Sequence, residues 1–309
     1  MEKHISVLLN EAIDYLDIRE DGNYIDATLG YAGHSSEILK RVKRGNLLCF
    51  DKDIDAINHS RTKLAKIGDN FKIFNTGFIN IKEVIEKENI NISGVLFDLG
   101  VSSPEIDEDK RGFSYMRDSR LDMRMDQEAN FSAYEVVNTY SVSELTDIFR
   151  KYGEEKYANK IANEIVKMRE KHPIETTFEL VSIIDRCYPY KEKRNTHPAK
   201  KKVFQALRIE VNNELGEFEK ALRDSLSLIE VGGRVVVITF HSLEDRICKN
   251  IFKEVTEVDP VVKGMPGVPS EMLPDFKLIT NKPIIPSDKE VEYNRRSKSA
   301  KMRVVEKIK

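Results

Sequence analysis

The chain has 309 residues, with 50 Lys and Arg against 52 Asp and Glu, a formal net charge of −2 and a charged fraction of 33%. That length holds one large core or two modest ones, so a main domain plus an insertion is expected. The balance of charge describes heavily solvated faces and leaves both nucleic acid and small molecules open as partners, whereas no stretch reaches the roughly 20 apolar residues of a membrane span.

The first apolar run, Ile5 to Leu9, is too short for a signal peptide, and Asn10 to Leu16 predicts a short helix packed on a sheet edge. Tyr24-Ile25 reads as a strand that runs into Asp26-Ala27-Thr28-Leu29-Gly30-Tyr31-Ala32-Gly33-His34-Ser35. Gly30 and Gly33 let the main chain approach a ligand because no Cβ intervenes. Ile38, Leu39 and Val42 then fit one face of a helix, and His34 is expected at its start, touching a ligand through its backbone. Strand, glycine loop and helix form the first unit of a nucleotide-binding α/β sheet.

A second strand, Leu47 to Phe50, ends at Asp51, about 20 residues beyond the glycines, where doubly wound sheets place a carboxylate for two ribose hydroxyls. Asp53 is the expected cap of a helix from Ala56 to Leu64. A third strand from Phe71 exits at Gly77-Phe78, a helix follows from Ile81 to Glu88, and a fourth strand runs from Ile92 to Asp98. This alternation predicts an α/β fold with a doubly wound parallel sheet. Gly30, Ala32, Gly33, His34, Asp51, Phe78 and Asp98 should then border one crevice beyond the carboxyl ends of the strands.

After Asp98 comes a loop, Leu99 to Glu105, and the rhythm changes. Tyr134 to Val137, Val142 to Tyr152, Tyr157 to Arg169 and Phe178 to Cys187 show helical spacing, so residues 106–200 read as a helical insertion. The main domain is expected to comprise residues 1–105 and 201–309. In it, one helix from about Lys201 to Leu228 precedes a strand from Gly232 to Phe240, and Lys277 to Thr280 and Met302 to Val305 are late strands. The Pro- and Gly-rich stretch from Asp259 to Ser287 reads as an extended loop.

The crevice lacks both the Gly-x-Gly-x-x-Gly of dinucleotide sites and the Gly-Lys-[Ser/Thr] loop of nucleoside triphosphate sites. A nucleoside without pyrophosphate, such as S-adenosylmethionine, fits better. Ser102-Ser103-Pro104 follows an acidic strand end, the place where amino-directed methyltransferases carry a Pro-containing loop. An exocyclic amine is a poor nucleophile, and oxygens on a rigid loop can accept its N–H bonds and align its lone pair. His241 and Ser242, at the end of the later strand, either border the same crevice or start the next helix, with Ser242 as cap.

Lys191 to Arg194, Lys200 to Lys202 and Arg295-Arg296 with Lys298, Lys301 and Arg303 are basic clusters open to a polynucleotide reading. The sign-alternating run Arg117 to Asp126 reads as a self-paired network. These residues leave three readings open: methylation of an RNA amine, methylation of a DNA amine, or a non-catalytic RNA-binding factor with a nucleoside pocket. Cys49, Cys187 and Cys248 form no Cys-x-x-Cys pair, so no metal site is expected, and a reducing, cytoplasmic compartment is.

Several long motifs together resemble one family. They are Asp26 to Gly30 with Gly33-His34-Ser35, Asp98 to Pro104, Arg111-Gly112-Phe113-Ser114-Tyr115-Met116-Arg117-Asp118, Leu121 to Asp126, and Phe240-His241-Ser242-Leu243-Glu244-Asp245-Arg246. The chain resembles the 16S ribosomal RNA cytosine-N4 methyltransferases, RsmH or MraW, from His4 to the segment near residue 300. The resemblance implies a class I, Rossmann-like methyltransferase domain, S-adenosylmethionine as cofactor, and the N4 amine of a cytidine in the decoding region of the small ribosomal subunit as target. It implies cofactor contacts at Ala32, Gly33, His34, Asp51, Phe78 and Asp98. Ala32 stands where the family often has Gly, and Glu105, also a candidate cofactor contact, stands where it commonly has Gln. On this reading Asp98, Ser102, Ser103 and Pro104 are the catalytic candidates, and His241, Ser242, Lys200, Lys201, Arg295 and Arg296 the substrate contacts. Residues 106–200 would be the RNA-recognition domain.

Overall fold

The structure is a computed structural model that describes residues 5–100, 111–189, 196–258, 262 and 269–309. The chain forms two compact units, one built from residues up to Gly100 and from Leu215 onward, the other from Val101 to Glu214.

The first unit is a seven-stranded sheet in the order β3-β2-β1-β4-β5-β7-β6. Its strands are β1 (Tyr24–Asp26), β2 (Leu47–Asp51), β3 (Phe71–Asn75), β4 (Ile92–Asp98), β5 (Ile229–Thr239), β6 (Phe276–Leu278) and β7 (Lys301–Lys307). β1 to β5 pair in parallel, and β7 pairs antiparallel with both β5 and β6. This is the doubly wound arrangement expected of a class I methyltransferase sheet, with the chain reversing direction of travel across the sheet between β1 and β4.

Side chains one residue apart on a strand point to opposite faces, and the core divides accordingly. Ile25, Leu48, Phe50, Val95, Phe97, Val235 and Val237 share one buried cluster with α4 (Ile81–Glu88), α10 (Glu214–Leu228) and α11 (Ser242–Thr256). Tyr24, Leu47, Cys49, Leu96, Val236 and Ile238 share the other with α1 (Leu9–Leu16), α2 (Gly33–Arg41) and α3 (Ile54–Leu64). Because both faces are covered, β2 and β4 read as near-continuous apolar runs instead of alternating ones. α1 packs over the middle strands β4 and β5, not on a sheet edge as expected, because its buried Ala12, Ile13 and Leu16 need an apolar face to cover.

The second unit is helical, with α5 (Ala133–Thr139), α6 (Val142–Lys151), α7 (Ala158–Arg169), α8 (Thr177–Cys187) and α9 (His197–Asn212) around one apolar core. The starts of α5, α6 and α8 are fixed by reciprocal caps between Ser132 and Glu135, Ser141 and Glu144, and Thr176 and Glu179. The Arg117 to Asp126 run is partly self-paired: Arg124 grips both oxygens of Asp122 at 2.7 Å, while Asp118 accepts from the Phe178 N–H at 3.2 Å.

The single helix expected from Lys201 to Leu228 is two. Asn213 adopts a left-handed φ of 46° and closes α9, and α10 begins at the next residue. α9 belongs to the helical unit, which therefore extends past the expected boundary at residue 200. Val203, Phe204 and Leu207 lie in its core, and Asn212 both donates to Met123 O and accepts from the Met125 N–H, each at 2.8 Å. Among the described residues, no helix is long and apolar enough to cross a membrane.

Phe149 on α6 is fully buried in the helical core. Phe149→Ala should cost about 3–5 kcal/mol of unfolding free energy, measured by urea denaturation, and a loss under about 1 kcal/mol would contradict this packing.

Candidate functional site

Asp26, Asp51 and Asp98 close three neighbouring parallel strands. Asp26 pairs with Cys49 on β2 and Leu96 on β4, so Asp51 and Asp98 each lie two residues further along. Between them runs the glycine loop. Asp51 Oδ2 accepts the Gly30 N–H and its Oδ1 the Asp53 N–H, both at 2.8 Å, which ties the loop to β2. Asp53 in turn caps α3 by accepting the Asp55 N–H at 2.9 Å, as its position suggested.

Gly30 has φ +46°, and among the described residues the nearest atom to a Cβ built there is 4.0 Å away, so none of them closes its outer side. Ala32 has φ +53°, a left-handed conformation that glycine adopts without strain and alanine does not. A Cβ on Gly33 would lie 1.7 Å from the Ser6 hydroxyl oxygen, because the amino-terminal segment rests directly on the start of α2; the missing Cβ of Gly33 therefore makes room for Ser6 and not, as expected, for a ligand.

Asp26 is buried and fully engaged: Oδ1 accepts the Thr28 N–H at 3.1 Å and Oδ2 the Ser35 hydroxyl at 2.5 Å. Thr28 accepts the Asp98 N–H through its hydroxyl oxygen at 2.8 Å, linking β1 to the end of β4. Asp98 Oδ2 lies 3.4 Å from Nδ1 of the buried His34, whose Nε2 is 3.1 Å from Val7 O. Asp98 Oδ1 is buried without a hydrogen-bond partner among the described residues. Phe78 occupies a short 3-10 turn, half-buried, and meets Phe97 edge-on at 5.9 Å.

Burial governs the charge of this group. It pushes Asp51 up to about 6, the N–H donors of Asp53 and Gly30 opposing it only in part. It also raises Asp26. Asp98 is held well above the usual carboxylate range, by burial first and then by the negative charges of Asp26 and Glu244. One open loop position, one orphaned acceptor and one carboxylate poised between charge states suit a ligand that brings hydroxyl and N–H donors.

The other candidates lie in different settings. His241, not Ser242, is the cap of α11, accepting the Glu244 N–H on Nδ1 at 3.4 Å, while Glu244 accepts from the N–H groups of Phe240 and His241. Ser242 is the first residue of that helix. In the helical unit Lys200 is paired with Asp185 at 2.9 Å and Lys201 is exposed. In the sheet unit Arg295 and Arg296 are exposed on a 3-10 turn, whereas Lys301 and Arg303 of the same sequence cluster are held by Asp245 at 3.1 and 2.7 Å. Ser102, Ser103, Pro104 and Glu105, and Lys191 to Arg194, lie outside the described residues. Asp26 is not among the residues that the sequence singles out, although it has the signature that singles out Asp51: the first acid after an apolar strand.

The chain matches the MraW methylase family over residues 1–308. It is 49% identical to the ribosomal RNA small subunit methyltransferase H of Exiguobacterium sibiricum over 311 residues, covering 100% of this chain and 99% of that protein. Among solved structures, an rRNA methylase from Streptococcus thermophilus aligns at 12% identity and TM-score 0.44 over 100% of this chain and 99% of its own. The N-methyltransferase NodS from Bradyrhizobium japonicum, solved with S-adenosyl-L-homocysteine, aligns at 6% identity and TM-score 0.43, covering 97% and 86%.

Folded protein keeps the Asp51 proton up to about pH 6, whereas an unfolded chain releases it near pH 4. The contribution of this group to stability is therefore present at low pH and lost as pH rises through that window. Asp51→Asn removes the titration, so the variant should gain on the wild type between about pH 4 and pH 6 in thermal unfolding. A difference constant with pH would contradict a raised Asp51.

Proposed function

The chain belongs to the MraW methylase family and is an S-adenosylmethionine-dependent ribosomal RNA methyltransferase, and from that premise we propose its target and the division of labour among its residues. The target is the exocyclic N4 amine of a cytidine in 16S ribosomal RNA, in the decoding region of the small subunit, and the enzyme works in the cytoplasm. The observation that carries the reading is the convergence of the open glycine loop with Asp51 and Asp98, whose remaining capacity is for N–H and O–H donors.

The bound cofactor supplies a methyl group made electrophilic by its sulfonium. Gly30, Ala32 and Gly33 line its seat with backbone, and Asp51 accepts the ribose hydroxyls. Phe78, in the turn after β3, would contact the nucleoside, and Glu105 is the further cofactor contact that the motif offers. Asp98, with its unpartnered oxygen, receives an N–H donor. Ser102, Ser103 and Pro104 would orient the cytidine amine, aligning its nitrogen with the methyl group that the cofactor would supply, with S-adenosylhomocysteine as the leaving group and the displaced amine proton passing to water.

RNA is held through phosphate contacts. The helical unit contributes Lys200 and Lys201. Arg295 and Arg296 contribute from the sheet unit, and His241 and Ser242 border the substrate at the start of α11.

Incubation with labelled S-adenosylmethionine and unmethylated small subunits should place label on cytidine N4. Label on another atom, or on DNA in preference to ribosomal RNA, would overturn the assignment of target. Asp51→Ala should weaken cofactor binding on the order of tenfold or more by calorimetry. Wild-type affinity should rise from pH 5 to pH 7 as Asp51 ionises, and that rise should vanish in the variant; unchanged affinity would remove Asp51 from the ribose.

A further inference from the structure

The imidazole of His34 is committed on both sides. Its Nε2 lies 3.1 Å from the carbonyl oxygen of Val7, and because a carbonyl only accepts, Nε2 carries hydrogen. That carbonyl is itself fixed. The neighbouring Leu8 N–H donates to Glu290 at 3.0 Å, Asn294 donates to Ile5 O at 3.1 Å, and Ser6 sits against Gly33. With Nε2 so occupied, Nδ1 bears a proton only in the imidazolium form.

Nδ1 stands 3.4 Å from Asp98 Oδ2. A lone pair facing an ionised carboxylate oxygen across that gap is repulsive. The approach is favourable when the pair holds one proton, either on Asp98, which then donates to a neutral ring, or on an imidazolium that donates to a carboxylate. The second oxygen of Asp98, Oδ1, is buried and has no partner among the described residues.

We propose that His34 is a positioning residue: it shares a single proton with Asp98 and so keeps Asp98 Oδ1 turned to accept an amine N–H of the bound nucleosides. The proposal rests on the methyl-transfer reading above. Among the described residues, the charged groups that act on Asp98 are Asp26 at the end of β1 and Glu244 on α11, both acidic, and both favour retention of that proton. Asp26 meets Ser35 and Thr28, and Glu244 meets His241, so neither competes for Nδ1 through the bonds described.

Two substitutions separate the anchoring of the amino-terminal segment from the positioning of Asp98. Gln at position 34 places a donor where Nε2 stands and keeps the link to Val7, whereas Asn places an acceptor near Nδ1 and keeps the link to Asp98. His34→Gln should retain the wild-type Tm but lose about tenfold or more in kcat, with a shifted acid limb in its pH–rate profile. His34→Asn should lower Tm and keep the larger share of kcat.

In nitrogen-15 spectra of histidine-labelled wild-type protein without substrate, His34 should show a protonated Nε2 and a hydrogen-bonded Nδ1. A neutral ring with its hydrogen on Nδ1, or a His34→Gln enzyme with wild-type kcat and pH profile, would overturn the proposal. Failure of the wild type to transfer label would instead refute the methyl-transfer reading and leave the ring's protonation to be judged from the spectra alone.

Discussion

Three carboxylates end three adjacent strands, and burying like charges side by side is unfavourable unless each is hydrogen bonded or protonated. The structure resolves this in a different way for each. Asp26 is satisfied by Thr28 and Ser35 and becomes part of the scaffold. Asp51 is satisfied by two backbone N–H groups, yet remains near a charge transition. Asp98 faces a histidine with one oxygen, and the other has no partner among the described residues. The glycine loop exists in its particular shape because it must deliver N–H groups to two of these acids while it passes over the strand ends.

From this constraint follows the separation between scaffold and site. Residues that bond inward, such as Asp26, Thr28 and Ser35, hold β1, the loop and β4 in register. Asp98 keeps capacity for a ligand because Oδ1 has no partner among the described residues, and Gly30, whose N–H and carbonyl are taken by Asp51 and Ser60, offers the space beside its missing Cβ. Even the amino-terminal segment takes part, since Val7 and Ser6 press on His34 and Gly33 from behind. A site built in this way is preorganised by secondary structure, and its polarity is set before any cofactor arrives.

Local patterns made much of this legible. The apolar runs of β2 and β4, the acids that end them, and the helix from Ile81 to Glu88 follow from composition and periodicity over a few residues. The break at Asn213 was not legible, because a single left-handed residue interrupts a stretch whose apolar spacing continues on both sides. The pairing of His34 with Val7, 27 residues earlier, and the placement of α9 among the insertion helices depend on tertiary contacts that no window of sequence contains. His241 is one residue from the expected cap because serine is the commoner choice there, while here an imidazole nitrogen accepts the N–H of Glu244 and Glu244 returns the bond. Ser102 to Glu105 were read from sequence and lie outside the described residues, so their roles rest on motif and reaction chemistry.

The central claim is that the carboxyl ends of β1, β2 and β4 seat the methyl donor. A crystal structure with S-adenosylhomocysteine and a cytidine analogue tests it most directly. Ribose hydroxyls within hydrogen-bond distance of Asp51, together with an N–H donor on Asp98 Oδ1, are the expected result. A nucleoside bound elsewhere, or one that leaves both carboxylates untouched, would contradict it.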